Sequence, residues 1–182
     1  NLSWKYGPHF YLNHKLFRDH RQLNDSIERI QFQIKSGHDL LVSEYYHRYN
    51  DPAMPPVWIA VELTTIGQLT KLFMNLKHAE DKEAVAKRYQ IHYSVLQAIM
   101  DNLTLIRNYS AHHTRIWNRH FSFECSLDNQ HQLISHALCD GSRMYSVLVL
   151  ITYILKTLGV EQPFYKRLMG LISIYNINVD LM

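Results

Sequence analysis

The sequence contains few of the residues that break helices or build covalent frameworks. Its 182 residues include only 2 cysteines, 6 glycines and 5 prolines. Cys125 and Cys139 are too few for a disulfide framework, and no C-x-x-C or Cys/His zinc spacing is present. Both are expected to be reduced thiols, which indicates a cytoplasmic location.

Long hydrophobic runs are also missing. The most apolar run, MYSVLVLITYIL at residues 144–155, is shorter than the ~20 residues that a membrane span needs. No signal peptide is visible. We therefore expect a buried core helix here and no association with a membrane.

Apolar residues recur at helical spacing along most of the chain, whereas few segments alternate with period two. Leu96, Ile99, Leu103 and Ile106, for example, follow one another at spacings of three, four and three. After the break NDPAMPP, residues 57–77 are expected to form one long helix. The pattern predicts an all-α bundle in which residues 1–182 form a single domain.

No acidic residue lies between Asp101 and Glu124, and this interval holds the most concentrated chemistry of the chain. Its centre reads LIRNYSAHHTRIWNR, residues 105–119. On a continuous helix, Arg107 could bend its long stem toward the polar face, whereas His113 would fall off it. That face is predicted to carry four residues at spacings of four, three and four: Asn108, His112, Arg115 and Arg119.

Arginine and histidine on one face suit a phosphodiester. Arginine can bind a phosphate through two parallel hydrogen bonds, and histidine can move protons near neutral pH. The alternative is a solvated helix end, where basic residues favour the C-terminal dipole. Neither a glycine-rich phosphate loop nor a carboxylate pair with metal spacing is present, so we expect no NTPase, no metal and no cofactor.

Several strings carry a family resemblance that spans nearly the whole chain. RNYSAH fits the R-x4–6-H signature of HEPN domains, and RNYSAHHTRIWNR closely resembles the RN-x-x-AHH-x-R-[LI]-WNR block of the Abi-like (abortive infection, AbiD/AbiF-type) bacterial family. YGPHFYL, PPVWIAVELTTIGQLTKL and MYSVLVLITYIL also look like that family. Ser110 stands where the family often has cysteine, and Ile66 where an aromatic is common. Relatives usually carry an upstream segment, which this chain is expected to lack.

The resemblance implies a HEPN-like helical bundle that acts as a metal-independent endoribonuclease in phage defence or in a toxin-like system. By that analogy His112 is the general acid or base, Arg107 stabilises the phosphate, and Asn108 orients the histidine or a phosphate oxygen. The RNA backbone would be held by three further residues, Arg115, Arg119 and His113.

Three residues are expected to support the site. Glu62 is expected to lie buried in an apolar helix, so it is expected to pair with Arg107 or Arg115 and to orient it. Trp58 and Trp117 are expected to be core anchors rather than platforms for stacked bases.

Competing functions remain open. A non-catalytic HEPN-like module that binds RNA or protein is the main alternative, and a motif that binds or receives a nucleotide is a weaker one. The expected partners are RNA, a second copy of the chain in a homodimer, and an antitoxin or a phage-derived trigger. The motif helix, with Trp117 nearby, would then lie at or beside the dimer interface.

Overall fold

A computed structural model describes residues 2–36, 40–49, 51–116, 119 and 144–176. These residues form α-helices, short 3-10 turns and loops, with one isolated antiparallel bridge between Phe17 and Leu76. The predicted all-α class is therefore confirmed. The chain divides into two compact units, residues 1–85 and 86–182, and each is described by itself. That residues 1–182 act as one domain stays a prediction.

The first unit contains six helices among its described residues. They are α1 (Leu2–Tyr6), α2 (His20–Ser36), α3 (Leu40–Arg48), α4 (Val57–Ala60), α5 (Ile66–Asn75) and α6 (Ala79–Ala86), the last of which ends one residue beyond the unit. Two 3-10 turns, Phe10–Leu12 and His14–Leu16, connect α1 to α2. Helix α2 packs against α5 and buries Leu23 and Ile30 completely or nearly so.

Buried Asn75 joins the end of α5 to the start of α2. Its Oδ1 accepts a hydrogen bond from the Asp19 backbone N–H at 2.8 Å, and its Nδ2 donates to the Asp19 carbonyl at 2.7 Å. The Asn75 carbonyl in turn accepts from the Arg18 N–H at 2.9 Å. The amide oxygen and the amide nitrogen of Asn75 thus both have hydrogen-bond partners, as a buried polar side chain requires.

Asp81 ties α6 to the N-terminal helix. Its side chain is only 1% exposed, and Oδ1 accepts a 2.8 Å hydrogen bond from Lys5 Nζ. The Tyr6 hydroxyl lies 3.2 and 3.1 Å from the two carboxylate oxygens. The hydrogen bond to Asp81 raises the pKa of Lys5. A buried carboxylate is thus held by two residues of α1.

The prediction of one long helix over residues 57–77 is wrong. Helix α4 ends at Ala60, and α5 begins at Ile66 after a turn. Thr65 caps α5: its side chain accepts from the Gln68 N–H, while the Gln68 side chain accepts from the Thr65 N–H. This reciprocal capping box satisfies two backbone donors and starts a new helix inside an otherwise helical pattern.

The second unit contains three longer helices in its described residues: α7 (Tyr93–Ala111), α8 (Met144–Thr157) and α9 (Glu161–Ile174). The His92 ring caps α7 by accepting from the Ser94 N–H at 3.3 Å. Helix α8 packs against both α7 and α9. Among the described residues, no helix is both long and apolar enough to cross a membrane.

The C-terminal part of α7 is anchored to the start of α8. Buried Ile106 and Val147 form the centre of this contact. Five partly buried residues pack around the pair: Leu105, Tyr109, Ile116, Met144 and Ile151. The buried position of Ile106, which the helical spacing of the apolar residues predicts, is therefore confirmed. The polar residues that follow it along α7 are exposed.

Replacing Asp81 tests the contact between α1 and α6. Asp81→Asn keeps the side-chain size but removes the charge that Lys5 and Tyr6 bind, so the free energy of unfolding should fall by about 1.5–3 kcal/mol. Urea unfolding would measure this change. The control Glu80→Gln alters an exposed acid on the same helix and should cost less than about 0.5 kcal/mol. Equal losses in the two variants would contradict the importance of the buried carboxylate.

Candidate functional site

The predicted site lies where helix α7 ends, and three backbone hydrogen bonds define that end. The His112 N–H donates to the Asn108 carbonyl at 3.0 Å as the last helical bond. The His113 N–H then donates to Ser110 O at 3.3 Å, and the Thr114 N–H donates to Tyr109 O at 2.8 Å. This pair of bonds is a Schellman motif, which satisfies the last carbonyls of the helix and turns the chain away.

His113 occupies the left-handed position of this motif, with φ at +53°. Helix α8 ends in the same way, but there Gly159 takes the left-handed position at φ +71°. Its N–H donates to Lys156 O, and the Val160 N–H donates to Leu155 O, both at 3.0 Å. Glycine is the usual residue at this position because it has no Cβ. A histidine at this position is therefore unusual. Its left-handed conformation turns the backbone out of the helical path immediately after His112.

Arg107, Asn108 and His112 are all exposed on the last turns of α7. The Arg107 Nη1 donates to Asn108 Oδ1 at 3.3 Å, which draws the guanidinium toward the face that Asn108 shares with His112. The expected approach of the Arg107 stem to that face is thus observed. The described contact of the Asn108 side chain is with Arg107, and an orienting contact with His112 stays a prediction.

The prediction that Arg115 and Arg119 continue the same helical face is wrong. Helix α7 ends at Ala111, with His112 as its C-cap. Because the helix ends here and His113 adopts a left-handed conformation, the spacings of three and four no longer describe where the later arginines lie. Arg115 is exposed beyond the turn. Contact of Arg115, Arg119 and His113 with RNA stays a prediction.

Arg119 contacts the last turns of α7 through the Tyr109 ring. Its Cζ atom lies 4.1 Å from the centroid of the Tyr109 ring, a cation–π distance. Tyr109 is itself packed against Ile106 and Val147. Sequence reasoning missed Tyr109, although an aromatic one turn before His112 in an arginine-rich segment is a readable signal. The apolar cluster that packs against α7 therefore also positions the Tyr109 ring that Arg119 contacts.

The expected supporting residues occupy different surroundings. Glu62 is exposed in the turn between α4 and α5, so the expectation of a buried acid in a helix is wrong. Its pairing with an arginine stays a prediction. Trp58 is 57% exposed and is not a core anchor. Trp117 lies outside the described residues.

The arrangement is an exposed cationic and titratable helix end on a firmly packed helix. Arg107 offers a phosphate-binding guanidinium, and His112 offers an imidazole within one turn of Asn108. The helix C-terminus carries a partial negative charge, which favours cations at His112 and beyond it. The described residues contain no group of three or more His, Cys, Asp or Glu side chains placed to hold a metal ion.

Substitutions of His113 test the turn that ends α7. His113→Gly should leave the free energy of unfolding unchanged or raise it by up to about 1 kcal/mol, because glycine adopts the left-handed conformation without strain. His113→Val should lower it by about 1–2 kcal/mol, since a β-branched residue resists a positive φ. Thermal unfolding of both variants measures the difference. A His113→Gly protein less stable than His113→Val would contradict this turn geometry.

No curated protein and no solved structure matches the chain. The family model for Abi-like proteins matches residues 1–118, more than half of the 182-residue chain. The matched part includes Arg107, Asn108 and His112 together with the turn at His113. The chain therefore belongs to the Abi-like protein family.

Proposed function

We propose that this protein is a metal-independent endoribonuclease that acts in abortive infection, the bacterial defence against phage. Membership of the Abi-like family suggests the defence role. The observation that carries the chemical proposal is the exposed end of α7, where Arg107 reaches Asn108 one turn before His112. These groups can act on a phosphodiester through charge and proton transfer.

The proposed reaction uses the RNA as its own nucleophile. One histidine accepts the proton of a ribose 2′-hydroxyl, and the oxygen attacks the adjacent phosphorus. The bond from phosphorus to the 5′-oxygen breaks, and that oxygen takes a proton from an acid. Arg107 stabilises the negative charge that builds on the phosphoryl oxygens. The products are a 2′,3′-cyclic phosphate and a 5′-hydroxyl, and no redox partner is needed.

This reaction needs both a proton acceptor and a proton donor, while one His112 serves as only one of them at a time. His113 lies beyond the end of α7 in a left-handed backbone conformation, so it shares no helical face with His112 and makes a poor second partner. A two-fold homodimer would bring a second Arg107 and a second His112 into one cleft through isologous contacts. Exposed apolar side chains on α9, among them Leu171 and Ile174, offer surface that a second copy could cover.

The remaining assignments follow from this chemistry. Arg115, Arg119 and His113 would contact the RNA backbone beyond the end of α7. A toxic ribonuclease has to be restrained until infection, so an antitoxin or a phage-derived trigger would control it. The alternative function is a non-catalytic HEPN-like module. An exposed Arg107 suits both functions, so a measurement of binding alone does not distinguish them.

Cleavage assays separate these two functions. Purified protein incubated with RNA in EDTA should cut the chain and leave 2′,3′-cyclic or 3′-phosphate ends. His112→Ala should lower the rate at least ~100-fold, the usual scale for losing a general acid or base. The control His47→Ala removes an exposed histidine of α3 and should cut at the original rate.

Two results would refute the proposal. Cleavage that stops when EDTA is added would indicate metal chemistry, and a His112→Ala protein with full activity would place the reaction elsewhere. RNA binding without any cleavage by the unaltered protein would instead establish the non-catalytic module.

A further inference from the structure

A cavity of about 430 Å³ opens in the first unit, between the segment that follows α1 and helices α3 and α4. Three aromatic side chains line it: Tyr45, Tyr49 and Trp58. Pockets that bind small molecules in proteins usually measure about 300–1,000 Å³. The cavity is therefore large enough for a ligand of nucleotide size.

Hydrogen bonds hold the walls of this cavity in place. The Val57 N–H donates to the Pro8 carbonyl at 2.8 Å, which joins the start of α4 to the segment after α1. The Tyr45 hydroxyl donates to Pro52 O at 3.3 Å. Tyr46, next along α3, donates to Ala53 O at 2.8 Å. Because these bonds cross between segments, the cavity is formed before any ligand binds.

Two of the lining aromatics are exposed to an unusual degree. Trp58 is 57% exposed and Tyr49 is 56% exposed, whereas the Tyr45 ring behind Tyr49 is buried. The Tyr45 and Tyr49 rings lie 5.4 Å apart at an interplanar angle of 33°. Flat exposed aromatic rings at the mouth of a cavity are the surfaces on which unpaired nucleobases stack.

Several polar groups of the cavity have bonding capacity that the described residues leave unused. His9 Nε2 is buried and has no hydrogen-bond partner among those residues. Glu44, Arg48 and Asp51 also line the cavity, and the described part of the chain offers none of the three an ion-pair partner. An unpaired buried ring nitrogen is costly, so a ligand atom that bonds to it would bind with a net gain.

We propose that this cavity binds the base of one unpaired nucleotide, with guanine preferred. The base would stack on Trp58 and Tyr49, and the carboxylates of Glu44 and Asp51 would accept hydrogen bonds from its edge. Guanine suits two acidic groups because its N1–H and N2–H₂ donors are neighbours. Arg48 would bind the attached phosphate as a cation. His9 Nε2 would bond to a further polar atom of the base.

The choice of an RNA base as ligand rests on the proposed function, since a ribonuclease has to select where it cuts. A purely apolar peptide would leave His9 and the three charged groups unpaired, at a cost in affinity. A base with an attached phosphate can stack on the aromatic rings, donate hydrogen bonds to both carboxylates and bind the arginine through its phosphate. The proposal therefore makes this cavity a site that reads sequence, separate in its residues from Arg107 and His112.

Calorimetric titration with 5′-monophosphates tests the proposal. GMP should bind the full chain at least about fivefold more tightly than UMP, the lower limit for a paired base contact. Trp58→Ala should weaken GMP binding at least about fivefold, as expected for a lost stacking surface. The matched control is Trp4→Ala, which removes a 93% exposed tryptophan of the same unit that does not line the cavity. It should leave the affinity unchanged.

A second variant tests the guanine preference without touching the aromatic rings. Glu44→Ala combined with Asp51→Ala should bring the affinities for GMP and UMP to within about twofold of each other, because both hydrogen-bond acceptors are lost. The proposal is overturned if no monophosphate binds, if GMP and UMP bind the unaltered protein equally well, or if Trp58→Ala and Trp4→Ala have the same affinity for GMP. Circular dichroism confirms that each variant is folded.

Performing the titrations on the His112→Ala protein separates this inference from the proposed function. GMP binding that depends on Trp58, in a chain whose unaltered form never cleaves RNA, would support the pocket and refute the ribonuclease. Metal-independent cleavage with no nucleotide binding at Trp58 would support the ribonuclease and refute the pocket.

Discussion

The 2.8 Å hydrogen bond from the Thr114 N–H to the Tyr109 carbonyl closes helix α7, and the geometry of the candidate site depends on it. It ends the helix directly behind His112 and forces His113 into a left-handed conformation. The same residue, Tyr109, packs on the Ile106–Val147 core and faces Arg119. Tyr109 therefore takes part in the packing of α7, in the turn that ends the helix and in the contact with Arg119.

This arrangement explains how an exposed site can be well positioned. Arg107, Asn108 and His112 have little burial of their own, so their placement comes from the apolar side of α7, which α8 covers. A phosphodiester needs groups that are accessible and yet held in place, because misplacement by a small distance lowers the rate strongly. In the first unit, the hydrogen bond between Val57 and Pro8 gives the walls of the cavity a comparable rigidity.

The sequence predicts the helices well where apolar spacing persists, as through Leu96 to Ile106, since burial there follows a single period. It misses breaks that no glycine or proline marks. The end of α7 has histidine at the left-handed position, so a continuous face through Arg119 was wrongly expected. The break before α5 did carry a signal, the Thr65 and Gln68 pair of a capping box. The exposure of Trp58 depends on tertiary packing, which local spacing does not report.

In the proposed mechanism, two copies of the α7 end form one catalytic cleft. Adding His112→Ala protein to the unaltered protein tests this most directly, because a mixed dimer holds only one His112 and so lacks either the proton acceptor or the proton donor. With RNA in excess and the concentration of unaltered chains held constant, we expect added His112→Ala protein to lower the cleavage rate after subunit exchange. A rate that does not change as His112→Ala protein is added would contradict the shared cleft.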